Sequence, residues 1–158
     1  MTTPLSQIFA YNYWANLRLL DVCATLTDEQ LDTTMIGIFG SIRETLMHLV
    51  HSEEGYVYSF TKIAPSTWLE ELTTFPGFDE LRRRSENSGK ELINIVEQAD
   101  LSQIFYLDKG TYRSPAFIVV IQALNHAIDH RSQIATLLSQ QGIEPPNLDA
   151  WAYNDSLN

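Results

Sequence analysis

Residues 114–142, SPAFIVVIQALNHAIDHRSQIATLLSQQG, decide the fold. Apolar positions recur here at helical spacing without a break, so the stretch reads as one long helix. Ser114 reads as its cap with Pro115 in the first turn. Gly142, followed by Pro145-Pro146, ends it near Gln141. At about 100° per residue the helix resolves into three stripes. Gln122, Asn125, Asp129, Ser132 and Thr136 form a wet stripe. Phe117, Val120, Ile121, Leu124, Ile128, Ala135 and Leu138 form the stripe expected to pack. Val119, Ala123, His126, His130 and Leu137 lie between them. His126 and His130, four apart, stand one above the other on that intermediate strip.

Working outward, three further helices are expected. The first covers Leu5 to Thr25, with Thr3 or Thr2 as cap and Pro4 in its first turn. Its cluster Phe9, Tyr11, Tyr13 and Trp14 reads mainly as core, with the Tyr hydroxyls and Asn12 or Asn16 available to a cavity. Thr27-Asp28-Glu29-Gln30 is a short capped turn, and a loop with Gly37 and Gly40 follows. Ser41-Ile42-Arg43-Glu44 is a capping box, in which Ser and Glu each satisfy a free backbone N–H. The helix it opens should run to about Lys62, before Pro65. The third helix spans about Phe78 to Ala99, and its middle, Arg82 to Lys90, reads as a solvated face. Ile104–Leu107 and Thr111–Arg113 flank the turn signal Asp108-Lys109-Gly110, giving two short extended segments. Residues 1–158 read as a single domain without internal repeats.

Two imidazoles four apart can grip one metal ion, and the chain has only two other histidines, His48 and His51. Both fall on the helix opened by Ser41. Thr45, His48 and Ser52 share one face there, with Ile42, Leu46, Leu49, Val50, Val57 and Phe60 on the apolar side. His51 lies nearer the acidic face, beside Glu54, which favours His48 as the inward-pointing third ligand. Three protein ligands and an open fourth position describe a catalytic metal site rather than a closed structural one. The competing reading of the pair is two half-exposed histidines hydrogen-bonded to neighbours such as Asp129 or Gln133. Asp129, on the wet stripe, reads as surface or as a support behind a ligand.

Other chemistries are excluded by what is missing. No Gly-rich phosphate loop and no GxSxG elbow occur. Ala127 stands where a metalloprotease helix carries its glutamate after the first histidine. The single cysteine, Cys23, rules out an intramolecular disulfide and reads as a packed thiol on an amphipathic helix. Ten basic against twenty acidic residues give a net charge of −10, which repels nucleic acid and anionic membranes alike. No segment approaches the roughly 20 apolar residues that span a bilayer. The start lacks the basic and apolar regions of a signal peptide, so a reducing cytoplasm is expected.

Four segments together resemble the DinB family, also called DinB/YfiT-like. They are Tyr11-Asn12-Tyr13-Trp14-Ala15-Asn16, Gly40 through Leu49, His126 through Ile134, and Pro145-Pro146-Asn147-Leu148-Asp149-Ala150-Trp151-Ala152-Tyr153. The resemblance implies an all-α, up-down-down-up four-helix bundle, usually a homodimer. It implies a divalent metal on positions that match His48, His126 and His130, with zinc or nickel foremost and iron or manganese as further candidates. Arg131, Gln133, Asp149 and Trp151 match positions that look structural or supporting. The resemblance further implies a metal-dependent thiol S-transferase acting on small electrophiles, with a low-molecular-weight thiol such as bacillithiol or mycothiol as co-substrate. A metal-dependent hydrolase and a non-enzymatic metal-binding or dimerisation module are the alternatives. Tyr11, Asn12 and Tyr112 are the candidates for orienting a substrate.

Overall fold

A computed structural model describes residues 3–158. Helix α1 (Pro4–Cys23) begins at a reciprocal cap: the Thr3 hydroxyl accepts from the Ser6 N–H, and the Ser6 hydroxyl accepts from the Thr3 N–H. Thr2, the other candidate cap, lies outside the described residues. Thr27 and Gln30 cap the short α2 (Asp28–Leu31) in the same way. The box at Ser41 and Glu44 opens α3 (Ile42–Thr61), which closes on Lys62 in a left-handed conformation. Helix α4 (Phe78–Gln98) follows, then an antiparallel hairpin of β1 (Ile104–Leu107) and β2 (Tyr112–Pro115). Helix α5 (Ala116–Gln140) and a short α6 (Ala150–Ser156), capped by Asp149, complete the chain. The chain is therefore mostly helical, with six α-helices and one small sheet among the described residues.

The long helices close a ring of contacts: α1 lies on α4, α4 on α3, α3 on α5, and α5 on α1. Apolar burial at one end is built from Leu19, Leu46, Leu81, Ile134 and Leu137, and at the other from Phe9, Leu92, Val96 and Val120. Helices α1 and α4 approach closely at Gly89, where a Cβ would fall 2.5 Å from the Tyr13 ring.

One polar network crosses this interior and joins all four long helices. Asn12 and Asn16 of α1 donate to Glu53 Oε1 at 3.2 and 3.0 Å, and the Ser88 hydroxyl of α4 donates to Glu53 Oε2 at 2.6 Å. Arg131 of α5 donates to the side-chain carbonyls of the same two asparagines, at 2.7 and 2.6 Å. Because Arg131 can only donate, both amides are fixed with their nitrogens towards Glu53. Burial pushes the Glu53 carboxyl up to about 7, against the opposing pull of the Ser88 hydrogen bond and the Arg131 charge.

Three expectations are corrected. Ser114 is not a helix cap. It pairs with Phe105 in the hairpin, and carbonyls of the preceding loop do the capping: Ala116 N–H donates to Gln103 and Phe117 N–H to Leu101. The stripe of α5 expected to pack is partly exposed, with Phe117, Ile121 and Ile128 at 46, 56 and 44%. Val120 and Leu138 of that stripe are buried, but the buried face turns towards Val119, Ala123, Ala127, His130, Arg131, Ile134 and Leu137. Small Ala123 and Ala127 let α5 approach its neighbours, and the network draws Arg131 inward. The middle of α4 is likewise not all solvated. Arg84, Ser85 and Ser88 are buried, while Arg82, Arg83 and Lys90 keep to the surface. Arg84 forms a two-pronged pair with Glu54 of α3, both contacts at 2.6 Å.

Candidate metal centre

Helix α5 sets His126 and His130 one turn apart, and α3 delivers His48 from the side. The three Nε2 atoms converge. His126 Nε2 stands 3.1 Å from His48 Nε2 and 3.1 Å from His130 Nε2, and all three lie within 4.8 Å of one another. His51 stays apart: its Nε2 pairs with Glu70 at 3.2 Å and its ring meets the edge of Trp68. The preference for His48 over His51, drawn from helical faces, matches this arrangement.

The tautomer of His130 follows from its partners. The Phe39 backbone N–H reaches one side-chain atom of Gln133 at 3.2 Å, so that atom must be the oxygen. The Gln133 nitrogen then donates to Asp129 at 3.1 Å. His130 Nδ1 lies 3.1 Å from the same Gln133 oxygen and must carry the hydrogen. Nε2 is therefore a bare lone pair aimed at the other two rings. Such a chain, with Asp129 holding Gln133 and Gln133 holding His130, is the support that metal-binding histidines ordinarily have.

This donor set fits a metal ion. Three imidazole nitrogens facing one another cannot all be satisfied by shared protons, because one N–H reaches only one of its neighbours. A cation between them removes the conflict. At a metal–nitrogen distance of about 2.0–2.1 Å, tetrahedral ligands lie about 3.3 Å apart and neighbouring octahedral ones about 3.0 Å. The 3.1 Å separations fall between these values. Burial lowers the His126 imidazole to about 4, with the neighbouring histidines adding to the effect, and lowers His48 in the same sense. Both are then neutral, as ligation requires, over the physiological range.

Around the three rings the site is open on one side. Phe39 stacks on His48 with ring centres 4.1 Å apart and meets His130 edge-on, so it covers one flank. On the other flank a cavity of about 580 Å³ reaches His48, and Tyr56 in its wall meets His126 edge-on. The hairpin forms the far wall of this cavity through Leu107, Tyr112 and Ser114.

Of the residues considered for orienting a substrate, only Tyr112 lines the cavity. Tyr11 donates to the Leu148 carbonyl at 2.8 Å and packs against Tyr153, tying down the C-terminal segment. Asn12 is buried in the Glu53 network. Arg131, Gln133 and Asp149 have the structural and supporting places expected of them, whereas Trp151 is 79% exposed. Cys23 is a buried thiol that burial pushes up to about 12, which makes it inert. Sequence reasoning missed Phe39, Glu70 and Tyr56. Nothing local marks Phe39, but Tyr56 follows His48 and Ser52 at intervals of four on one face of α3.

Among the described residues no helix is long and apolar enough to cross a membrane. The chain is 22% identical over 157 residues to Protein DinB of Bacillus subtilis (strain 168), a match covering 93% of this chain and 91% of that protein. The model of the DinB family matches residues 1–157. With helices, histidines and sequence in agreement over nearly the whole length, the chain belongs to the DinB family.

Proposed function

We propose that this protein is a metal-dependent enzyme in which His48, His126 and His130 hold a divalent ion through their Nε2 atoms. The observation that carries the proposal is the convergence of three Nε2 atoms, one with its tautomer fixed by Gln133, at the edge of an open cavity. A divalent ion held by three imidazoles supplies Lewis acidity that lowers the pKa of a coordinated thiol or water. The reaction class we assign is thiol S-transfer to a small electrophile, with a low-molecular-weight thiol as co-substrate. The cavity beside His48 receives the substrates, Tyr112 and Gln122 offer hydrogen bonds to them, and Phe39 shields the opposite flank from water. Zinc or nickel is the foremost choice of metal, with iron and manganese as alternatives, because three imidazoles suit each of them.

In this reading residues 1–158 form one domain, an up-down-down-up bundle of the four long helices, and the protein works in the cytoplasm as a homodimer. The exposed apolar residues Phe117, Ile121 and Ile128 of α5 suit a second copy of the chain. Self-association there places a neutral face at the contact of an otherwise acidic protein. The rival readings are a metal-dependent hydrolase and a non-enzymatic metal-binding or dimerisation module.

The test is product analysis with metal-loaded, untagged protein, an electrophile, and a thiol supplied or withheld. S-transfer predicts a thioether that forms only when thiol is present and disappears in H126A. A water-derived product formed without thiol favours the hydrolase, and no product with intact metal binding favours the module.

A further inference from the structure

The wall of the cavity beside His48 carries chemistry that the metal site alone does not determine. Its polar groups are hydroxyls and an amide, among them Ser52, Ser59, Tyr112 and Gln122, with the imidazoles of His48 and His51, the latter paired with Glu70. Its one carboxylate is Glu70, and no Lys or Arg lines it. The nearby cations are directed elsewhere. Lys62 bonds to the Ser59 carbonyl at 2.8 Å and lies over the rings of Tyr58 and Phe105. Tyr112 and Ser114 face the cavity from alternate positions of β2, so the intervening Arg113 is turned to the outer face, where it is exposed.

Resting on the metal-site reading above, we propose that this cavity excludes anionic substrates and takes thiols or electrophiles whose remote groups are neutral or cationic. An anionic tail would lose water against hydroxyls and apolar side chains and would face Glu70, whose partner in the wall is the His51 imidazole, with no Lys or Arg to receive it. The net charge of −10 opposes its approach as well. A cationic tail meets Glu70 and the aromatic side chains of Tyr56 and Tyr112, which suit it. The metal ion takes each sulfur as thiolate, so affinities are compared per thiolate, with each thiol's own acidity divided out; the discrimination that remains lies in the tail.

Three thiols with the same two-carbon spacing test this: thiocholine, 2-mercaptoethanol and 2-mercaptoethanesulfonate, with tails of charge +1, 0 and −1. Each is titrated into the Co(II)-loaded protein, and the visible bands of the ion report sulfur binding as the thiol proton leaves to buffer. Per thiolate, thiocholine should bind about tenfold more tightly than the sulfonate, with mercaptoethanol between them, and added salt should narrow the gap. E70Q should lower thiocholine affinity towards that of mercaptoethanol and leave the Co(II) bands of the thiol-free protein unchanged. Equal affinities, or tightest binding by the sulfonate, overturn the charge selection while leaving the metal site intact. Absence of Co(II) bands in wild type overturns the metal reading and this inference with it.

Discussion

Glu53→Gln isolates the titration of one buried carboxyl. In the folded protein Glu53 is held up to about 7, whereas its ordinary value is 4.5. Below pH 4.5 the group is protonated in both folded and unfolded chains and contributes nothing. Between 4.5 and 7 the unfolded chain ionises while the folded chain keeps its proton. The folded state then binds more protons, so stability falls as pH rises. At about 1.4 kcal/mol per tenfold, the full loss by pH 7 is about 3 kcal/mol. Glutamine fits the same network. Its oxygen accepts from Asn12 and Asn16, and its nitrogen donates to Ser88, whose own hydrogen turns to the Ser85 carbonyl 3.3 Å away.

His48 and His126, with lowered values, act in the opposite sense: their contribution is lost as pH falls through those values. Wild type and variant share them, so they cancel in the difference. The assay is urea unfolding of metal-free wild type and E53Q at half-unit steps from pH 4.5 to 7.5. The difference curve should favour E53Q increasingly as pH rises, and level off above 7. A flat difference would refute the raised value, and a slope of opposite sign would show that Arg131 keeps Glu53 ionised.

Further predictions concern the site and the helix contacts. Gln133→Leu removes the acceptor that fixes His130, and metal affinity by chelator competition should fall about 10–100-fold with the fold intact. Unchanged affinity would mean that the Gln133 contact does nothing for the site. Gly89→Ala forces a Cβ against Tyr13. It should cost about 1–2 kcal/mol in chemical denaturation, overpacking outweighing the helix propensity gained; a more stable variant would deny the close approach of α1 and α4. Tyr11→Phe loses the bond to Leu148 and should cost about 1 kcal/mol while metal affinity holds. A fall in affinity would return Tyr11 to the site.

What the sequence made legible was local chemistry. Thr3, Thr27 and Ser41 open their helices as expected, because a capping box is satisfied within four residues and needs no tertiary partner. The pairing of His126 with His130 was legible for the same reason, since an i, i+4 pair shares a face wherever the helix packs, and His48 was separated from His51 by its face on α3. What failed depended on partners distant in sequence. Ser114 looks like a cap until Phe105 pairs with it and Gln103 supplies a carbonyl to Ala116. Hydropathy oriented α5 only in part: Val120 and Leu138 are buried as expected, but Ile121 and Ile128 outweigh Ala123, Ala127 and Arg131 on any apolar scale. Arg131 is inside only because Asn12, Asn16 and Glu53 meet it from two other helices. The same holds for Ser88, a polar residue of α4 that is buried by its bond to Glu53.

If His48, His126 and His130 together hold one divalent ion, removal of any one of them should empty the site. Elemental analysis of the protein purified without a polyhistidine tag, beside H48A, H126A and H130A, measures this. Wild type should hold about one divalent ion per chain, lost in each variant while the helical circular dichroism stays unchanged. Folded variants that retain the metal content of wild type would contradict it.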